Sequence, residues 1–445
     1  MLLFEMFLTR VNGSFRIIFL VAFWCCAPCF FSGCAGISKG ITEAVIEGSS
    51  LEGNKKTCYV RGRPFPGLAD FLAHQQEAGY VDDARRPTLK ILMVHGIGSH
   101  IPGYSTRLAE NLALNLGLTL VDEKNKRITI LGQDDGKREL GILSLNRYRD
   151  RALQQEMIFA ELTWDPIVAE EKAQLSFDNS GEYSFRRTFL NNSLKLFVND
   201  TIPDVMMYNG TSRFPIQRAV GQAMCWLMSH DWQTLPDSGE NYCDDRGVGG
   251  LSRIHDDFVF ITHSLGSRIT VDVLQLIASA VAVRAENDPD WGSIMNTLQE
   301  KEFTLMMLSN QLPLLQIGQS APEVSGRIKE LCEPQAPFAD QRMFKTIRMV
   351  AFSDPNDLFS YAVPQSFLDE HVDSRLCPAL TNVILNVAGV NKLFGGEFAN
   401  PLTAHTEYDA DPTVIDLLSH GIDTSEDNAT KAGGCAWVET VSTTR

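Results

Sequence analysis

Residues 257–270, DFVFITHSLGSRIT, constrain this chain more than any other stretch. An unbroken apolar run enters a turn of the form small-x-Ser-x-Gly and leaves it with the spacing of a helix. Phe258, Val259, Phe260 and Ile261 have no polar interruption, the pattern of a strand covered on both faces in a parallel sheet. Beyond the turn, Ile269, Val271, Val273, Leu274 and Leu276 have the mixed apolar spacing of a packed helix. A turn this tight holds Ser264 in a strained backbone conformation, so the residues two places either side must be small. Gly266 satisfies that need, whereas Thr262 is a bulkier departure from it. Such a turn lifts a serine hydroxyl clear of the strand end. Read in isolation, the same string describes a strand end whose serine caps the next helix.

Three further segments bear on that choice. Upstream, in residues 89–100, the apolar run Ile91, Leu92, Met93, Val94 ends in His95-Gly96-Ile97-Gly98. The glycines leave the backbone bare for close approach, although a plain glycine turn before a helix over residues 104–118, with His95 packed, also fits. Downstream, residues 346–352 read as another buried strand that runs into Ser353-Asp354-Pro355-Asn356-Asp357-Leu358. A third strand over residues 382–387 precedes a Gly-rich loop, then Ala404-His405-Thr406, then a terminal helix over residues 412–418.

Taken in this order, the four pieces resemble the α/β-hydrolase superfamily of serine esterases and lipases, over roughly residues 90–421. The resemblance implies an α/β fold with a mostly parallel central sheet flanked by helices. It also implies Ser264 as nucleophile, His405 as general base and Asp357 as the acid that orients the imidazole, in the chain order this fold uses. Asp354 is the alternative acid. Asp357 is favoured because Asn-Asp before an apolar residue is similar to the turn in many lipases, while Asp354 before proline suits a side chain that bonds its own backbone. The backbone N–H groups of Ile97 and Leu265 would hold the oxyanion, with His95, Gly96 and Gly266 shaping the two loops. Among rival histidines, His420 sits at a helix end where a cation favours the dipole, and His371 lies in a charged surface run. His263 is expected to order the turn.

The chain's beginning points to export. Arg10 and Arg16 precede the apolar residues 17–31, a stretch suited to a signal peptide and short for a membrane span. Phe31-Ser32-Gly33-Cys34 resembles a bacterial lipoprotein signal, in which Cys34 is lipidated. Phe31 departs from the usual smaller residue, so an ordinary cleaved signal or a retained anchor stays open, as does Met6 as initiator. Ala35 after the cysteine points, by the same resemblance, to the outer membrane of a bacterial cell envelope. The expected divisions are a signal over 1–33, a tether and entry segment over 34–87 with a short strand at residues 57–61, and the hydrolase domain over 88–445. Outside residues 1–34 stand Cys58, Cys225, Cys243, Cys332, Cys377 and Cys435, enough for up to three disulfides in an oxidising compartment. Cys26 and Cys29 mimic a redox motif but lie in the signal core. No Cys/His cluster has zinc spacing, so no metal and no cofactor is expected.

Charge narrows the partners. Removing residues 1–33 takes away Glu5, Arg10 and Arg16 and moves the net charge from −16 to about −17. Such acidity disfavours nucleic acid and anionic membrane surfaces. The expected partners are an ester or lipid-like substrate, and a membrane reached through the N-terminal lipid anchor.

Residues 128–131 and 157–162 read as strands that complete the early half of the sheet. About 90 residues, 165–253, then intervene where the fold needs only one helix, so they form an insertion before the nucleophile strand. Ile216, Ala219, Val220, Ala223, Met224 and Leu227 give it a helix, either a cap over the site or one packed on the sheet. Met206, Met207, Tyr208, Phe214 and Trp226 could line an acyl pocket or lie in the core. The reading is an exported serine hydrolase acting on a carboxylic ester through an acyl-enzyme. Amidases, thioesterases and acyltransferases share the triad, and a non-catalytic envelope lipoprotein built on the same fold is the alternative from another class.

Overall fold

The computed structural model describes residues 58–77, 87–121, 125–132, 138–152, 154–180, 187–243, 252–333, 335–393, 396–422 and 435–437. The signal segment, Cys34 and most of the tether lie outside the described residues. The strands are β1 Cys58–Gly62, β2 Phe65–Pro66, β3 Leu89–Val94, β4 Thr119–Leu120, β5 Lys126–Leu131, β6 Glu139–Arg149, β7 Glu156–Thr163 and β8 Ser238–Asn241. They continue with β9 Asp257–His263, β10 Glu302–Leu308, β11 Thr346–Ser353, β12 Pro378–Leu385, β13 Val390–Leu393, β14 Gly396–Ala399, β15 Gly421–Ile422 and β16 Ala436–Trp437.

One sheet runs in the order β16-β1-β12-β11-β10-β9-β3-β7-β6-β5-β8, with β4 beside β6. Its centre, from β12 to β7, is six parallel strands. β7 pairs with β6 and β6 with β5 in antiparallel fashion, and β1 closes the other side antiparallel to β12. The molecule is therefore of α/β class with a mostly parallel central sheet. β13 and β14 pair with each other in a two-stranded sheet.

Alternation along the central strands sends side chains to two cores. Leu92 and Val94 of β3 and Phe260 of β9 face one, while Ile91, Met93, Val259 and Ile261 face the other. Both faces must be covered, and helices cover them. Six helices matter below: α1 Leu68–Glu77, α2 Thr106–Asn115, α3 Phe189–Tyr208, α4 Arg213–Ser229, α5 Leu265–Asn287 and α6 Pro412–His420. Residues of α1, α2 and α6 enter the second core, and residues of α4 and α5 the first. α5 is apolar enough over its length to cross a membrane, but most of it is buried against the sheet.

The stretch 165–253, expected as an insertion, holds two long helices with different surroundings. Ile216, Ala219, Val220, Ala223, Met224 and Leu227 of α4 are all at most 2% exposed and pack with Leu92, Val94 and Ile158 of the sheet. Ile216, Val220, Met224 and Leu227 each contribute about 1.5–3 kcal/mol on burial, so this is a layer of the core. The cap reading fails for α4 and is left to α3. Trp226 and Tyr208 are buried in the same core, whereas Met206 and Phe214 are exposed, so these residues do not line one pocket. β6, an eleven-residue strand, was not read from the sequence.

All six cysteines outside residues 1–34 pair, as Cys58–Cys435, Cys225–Cys243 and Cys332–Cys377. The first ties β1 to the residue preceding β16, the second ties α4 to the segment after β8, and the third ties residues 332 and 377 across the start of β12. Such pairing persists in an oxidising compartment.

Candidate active site

From β3 the chain goes out to β5, comes back through β6 to β7 beside β3, sends β8 to the far edge, and then crosses β3 to place β9, β10, β11 and β12 in turn on the other side. The order reverses between β3 and β9, and crevices at the carboxyl ends of strands form at such a switch point. Ser264 follows β9 there, and His95-Gly96 follows β3.

Ser264 has φ 55° and ψ −123°, a left-handed conformation that few non-glycine residues adopt. Its N–H donates to Leu308 O at 2.9 Å, and its carbonyl accepts from Ser267 N as α5 begins. The glycines follow from crowding. A Cβ on Gly266 would lie 2.3 Å from Val94 O and 2.7 Å from His95 O. A Cβ on Gly96 would lie 2.5 Å from Ser264 Cβ and 2.9 Å from its Oγ. Thr262 is accommodated because its hydroxyl lies 2.9 Å from Ser267 Oγ, a hydrogen bond inside the turn. Leu265 is fully buried at the start of α5, and Ile97 packs on the core beside Gly96. Ser264 Oγ itself is buried and has no hydrogen-bond partner, so the serine is not bonded to His405.

His405 lies in the short helix Pro401–Thr406 rather than in a loop, with Asn400 accepting from Leu402 N at 3.0 Å to start it. Its Nδ1 is 3.0 Å from both carboxylate oxygens of Asp357. Asp357 also accepts from Phe359 N at 2.9 Å. Burial pushes the Asp357 carboxyl up, but the hydrogen bond and charge of His405, the Ser309 hydroxyl and the Phe359 N–H outweigh it and hold the group below its usual range.

Asp354 is engaged elsewhere. It accepts from Asn356 N and Nδ2, and from Val387 N at 2.7 Å and Ala388 N at 3.1 Å, pinning the turn to the chain beyond β12. Of the two aspartates, only Asp357 meets His405.

His263 donates from Nε2 to His405 O at 2.7 Å, with its ring edge-on to His405. Burial and the neighbouring His405 ring bring it down to about 3, so it stays neutral and orders the backbone at His405. His95 is also held neutral, by burial first and His100 second. Its Nδ1 bonds Gly96 O and its Nε2 accepts from Trp164 N, while the ring stacks between His100 and Trp164. His420 pairs with Asp416, and His371 packs on Phe367, both away from the site.

Sequence reasoning missed two groups. The first is an acidic latch on α3, where Asp204 accepts from Gly98 N at 2.7 Å and Asp200 accepts from Ser99 N and from Ser99 Oγ at 2.6 Å. Lys172 lies 3.2 Å from each carboxylate. Burial pushes Asp204 up to about 6, against the opposing pull of Lys172 and the Gly98 N–H. The second is Ser309, at the end of β10, which touches both Asp357 and His405. Neither had a linear signal beyond the i, i+4 spacing of two aspartates on one helix.

Cavities of about 380 and 270 Å³ lie beside Trp291 and Asp272, and Ser264 lines neither. No family model matches this chain, and no curated protein or solved structure matches it significantly.

Proposed function

We propose that the protein is a serine hydrolase of the α/β-hydrolase fold that cleaves a carboxylic ester through an acyl-enzyme. The observation that carries this reading is the left-handed Ser264 at a strand-to-helix turn, packed against Gly96 at the carboxyl end of the central strands, where β11 also leads into the turn that carries Asp357 and its partner His405. Backbone strain of this kind in a polar, buried setting is characteristic of working sites. In the proposed reaction Ser264 Oγ attacks the acyl carbon, and its proton passes to His405 Nε2, the nitrogen that Asp357 does not engage. The imidazolium then protonates the leaving alkoxide, and water repeats the sequence to release the acid. Ile97 and Leu265 N–H groups would receive the oxyanion. Ser264 is 0% exposed and His405 6%, so entry of a substrate requires a covering element to move. α3 is the candidate, since it bonds the loop after β3. The three disulfides support an exported enzyme, and the signal-like start supports a lipid tether at Cys34 in a bacterial envelope.

The test uses the full-length protein in detergent with a fluorophosphonate probe. Wild type should label and Ser264→Ala should not, and p-nitrophenyl esters of increasing length would then give the acyl preference. The unpartnered, enclosed Ser264 hydroxyl also fits a second reading, a non-catalytic envelope scaffold. Folded wild-type protein that takes up no label would establish that reading instead.

A further inference from the structure

Ser309 has a place in the site that no motif announces. It follows β10, the strand beside β9, and like Ser264 it is a fully buried, non-glycine residue with left-handed φ, here 50°. The two strained serines are neighbours through the sheet, since Ser264 N donates to Leu308 O, the residue before Ser309. The hydroxyl of Ser309 lies 2.6 Å from Asp357 Oδ2 and 2.8 Å from His405 Nδ1. An ionised carboxylate only accepts, so the single hydroxyl proton goes to Asp357 and a lone pair of Oγ faces His405 Nδ1–H. Oγ, Asp357 and Nδ1 thus close a three-membered ring of hydrogen bonds in which the imidazole proton has an acceptor on either side.

We infer that Ser309 is a positioning residue of the proposed reaction, holding the Asp357 carboxylate and the His405 ring in one plane and stabilising the imidazolium that forms as Ser264 is deprotonated. The inference rests on the serine-hydrolase reading above. The strained backbone is consistent with such a role, because an Oγ aimed between two side chains from distant segments fixes the direction of the Cα–Cβ bond. A structural alternative would need only the conformation of the turn, with the hydroxyl merely satisfied.

The experiment separates these with two substitutions and one wild-type control. Ser309→Ala removes the hydroxyl at the same backbone position. Ser309→Gly removes it while relaxing the left-handed φ, so it keeps the test alive if the alanine variant folds poorly. The rate of fluorophosphonate labelling is measured across pH for the full-length protein, alongside the thermal midpoint. His263 and Asp357, the titratable groups in contact with His405, and Tyr408 next to them, are unchanged in both variants. The expected result is labelling slowed on the order of tenfold in both variants, the loss of one charge-assisted hydrogen bond. The pH of half-maximal labelling should also move down, because the imidazolium has lost an acceptor. Labelling within twofold of wild type at an unshifted pH, or a slower rate with no shift, would overturn the role. Wild type that fails to label overturns the underlying function instead.

Discussion

Two long helices adjacent in sequence, α3 and α4, have similar apolar content and different surroundings. α4 turns Ile216, Ala219, Val220, Ala223, Met224 and Leu227 into the sheet and is held by packing. α3 leaves Leu194, Val198, Ile202 and Met206, one row at four-residue spacing, between 39% and 68% exposed. Its grip on the molecule near the site is polar, through Asp200 and Asp204 onto the loop that carries Ile97. A helix held by burial comes away only when the fold does. α3 is anchored at its last turn by Tyr208 in the core, but where it meets the loop it is held by a few carboxylates and can part from it locally, the difference a covering element over an enclosed serine needs.

The sharpest way to break the comparison is to place the same charge in each helix. Val220→Asp buries an unpaired carboxylate and should cost on the order of 4 kcal/mol or more, enough to abolish a cooperative melt. Val198→Asp should change the thermal or urea midpoint by less than about 0.5 kcal/mol. Equal damage would mean α3 is as much a core element as α4.

Next in size is the latch. Asp204→Ala frees Gly98 N and leaves Lys172 with one partner fewer, so the loop after β3 loses its register against Ser264. Labelling by fluorophosphonate should fall by about 10²-fold with the fold intact, the scale expected for a misplaced site. Asp200 is less buried than Asp204, and Asp200→Ala should cost about tenfold. A latch variant that labels at the wild-type rate would detach α3 from the chemistry.

Acid acts in opposite directions on the latch and on two buried histidines. His100 and His263 are brought down to about 4 and about 3 by burial, so between pH 6.5 and those values the unfolded chain binds protons that the native state refuses. Their stabilisation is present above pH 6.5 and is lost as pH falls, at about 1.4 kcal/mol per unit of separation for each site. Asp204 has the opposite sign. Its raised value contributes stability that is full below the unfolded carboxyl range and is lost as pH rises through about 6. Asp204→Asn should therefore lose stability more steeply than wild type between pH 6 and 4, in urea titrations at fixed temperature. Parallel slopes would show that Asp204 is not held near 6.

The smallest effect belongs to the exposed row. Leu194→Ser and Ile202→Ser should leave the melt within about 0.5 kcal/mol of wild type, as surface positions do. A shift of the preferred p-nitrophenyl ester towards shorter chains in these variants would place the row along the acyl path.

What was readable along the chain was whatever a few neighbouring residues can encode. The strand-turn-helix at Ser264, the glycine loop after Val94 and the buried run before Asp354 depend on apolar period and on glycine where backbone meets backbone, and each formed where the residues put it. The α/β class was what the resemblance of those runs to a known family implied, and the sheet has it. Two aspartates three residues apart could not be separated that way, because both sit in one turn. Their roles were divided by what each carboxylate reached, the N–H groups beyond β12 for Asp354 and the ring of His405 for Asp357. The helix of α4 was legible as a helix, but its burial depended on a sheet assembled from strands on both sides of it in sequence. Ser309 and Asp204 act on partners about a hundred residues away, so no local pattern could mark them. Periodicity and turn chemistry are properties of adjacent residues, whereas a hydrogen bond between strand ends exists only once the strands lie side by side.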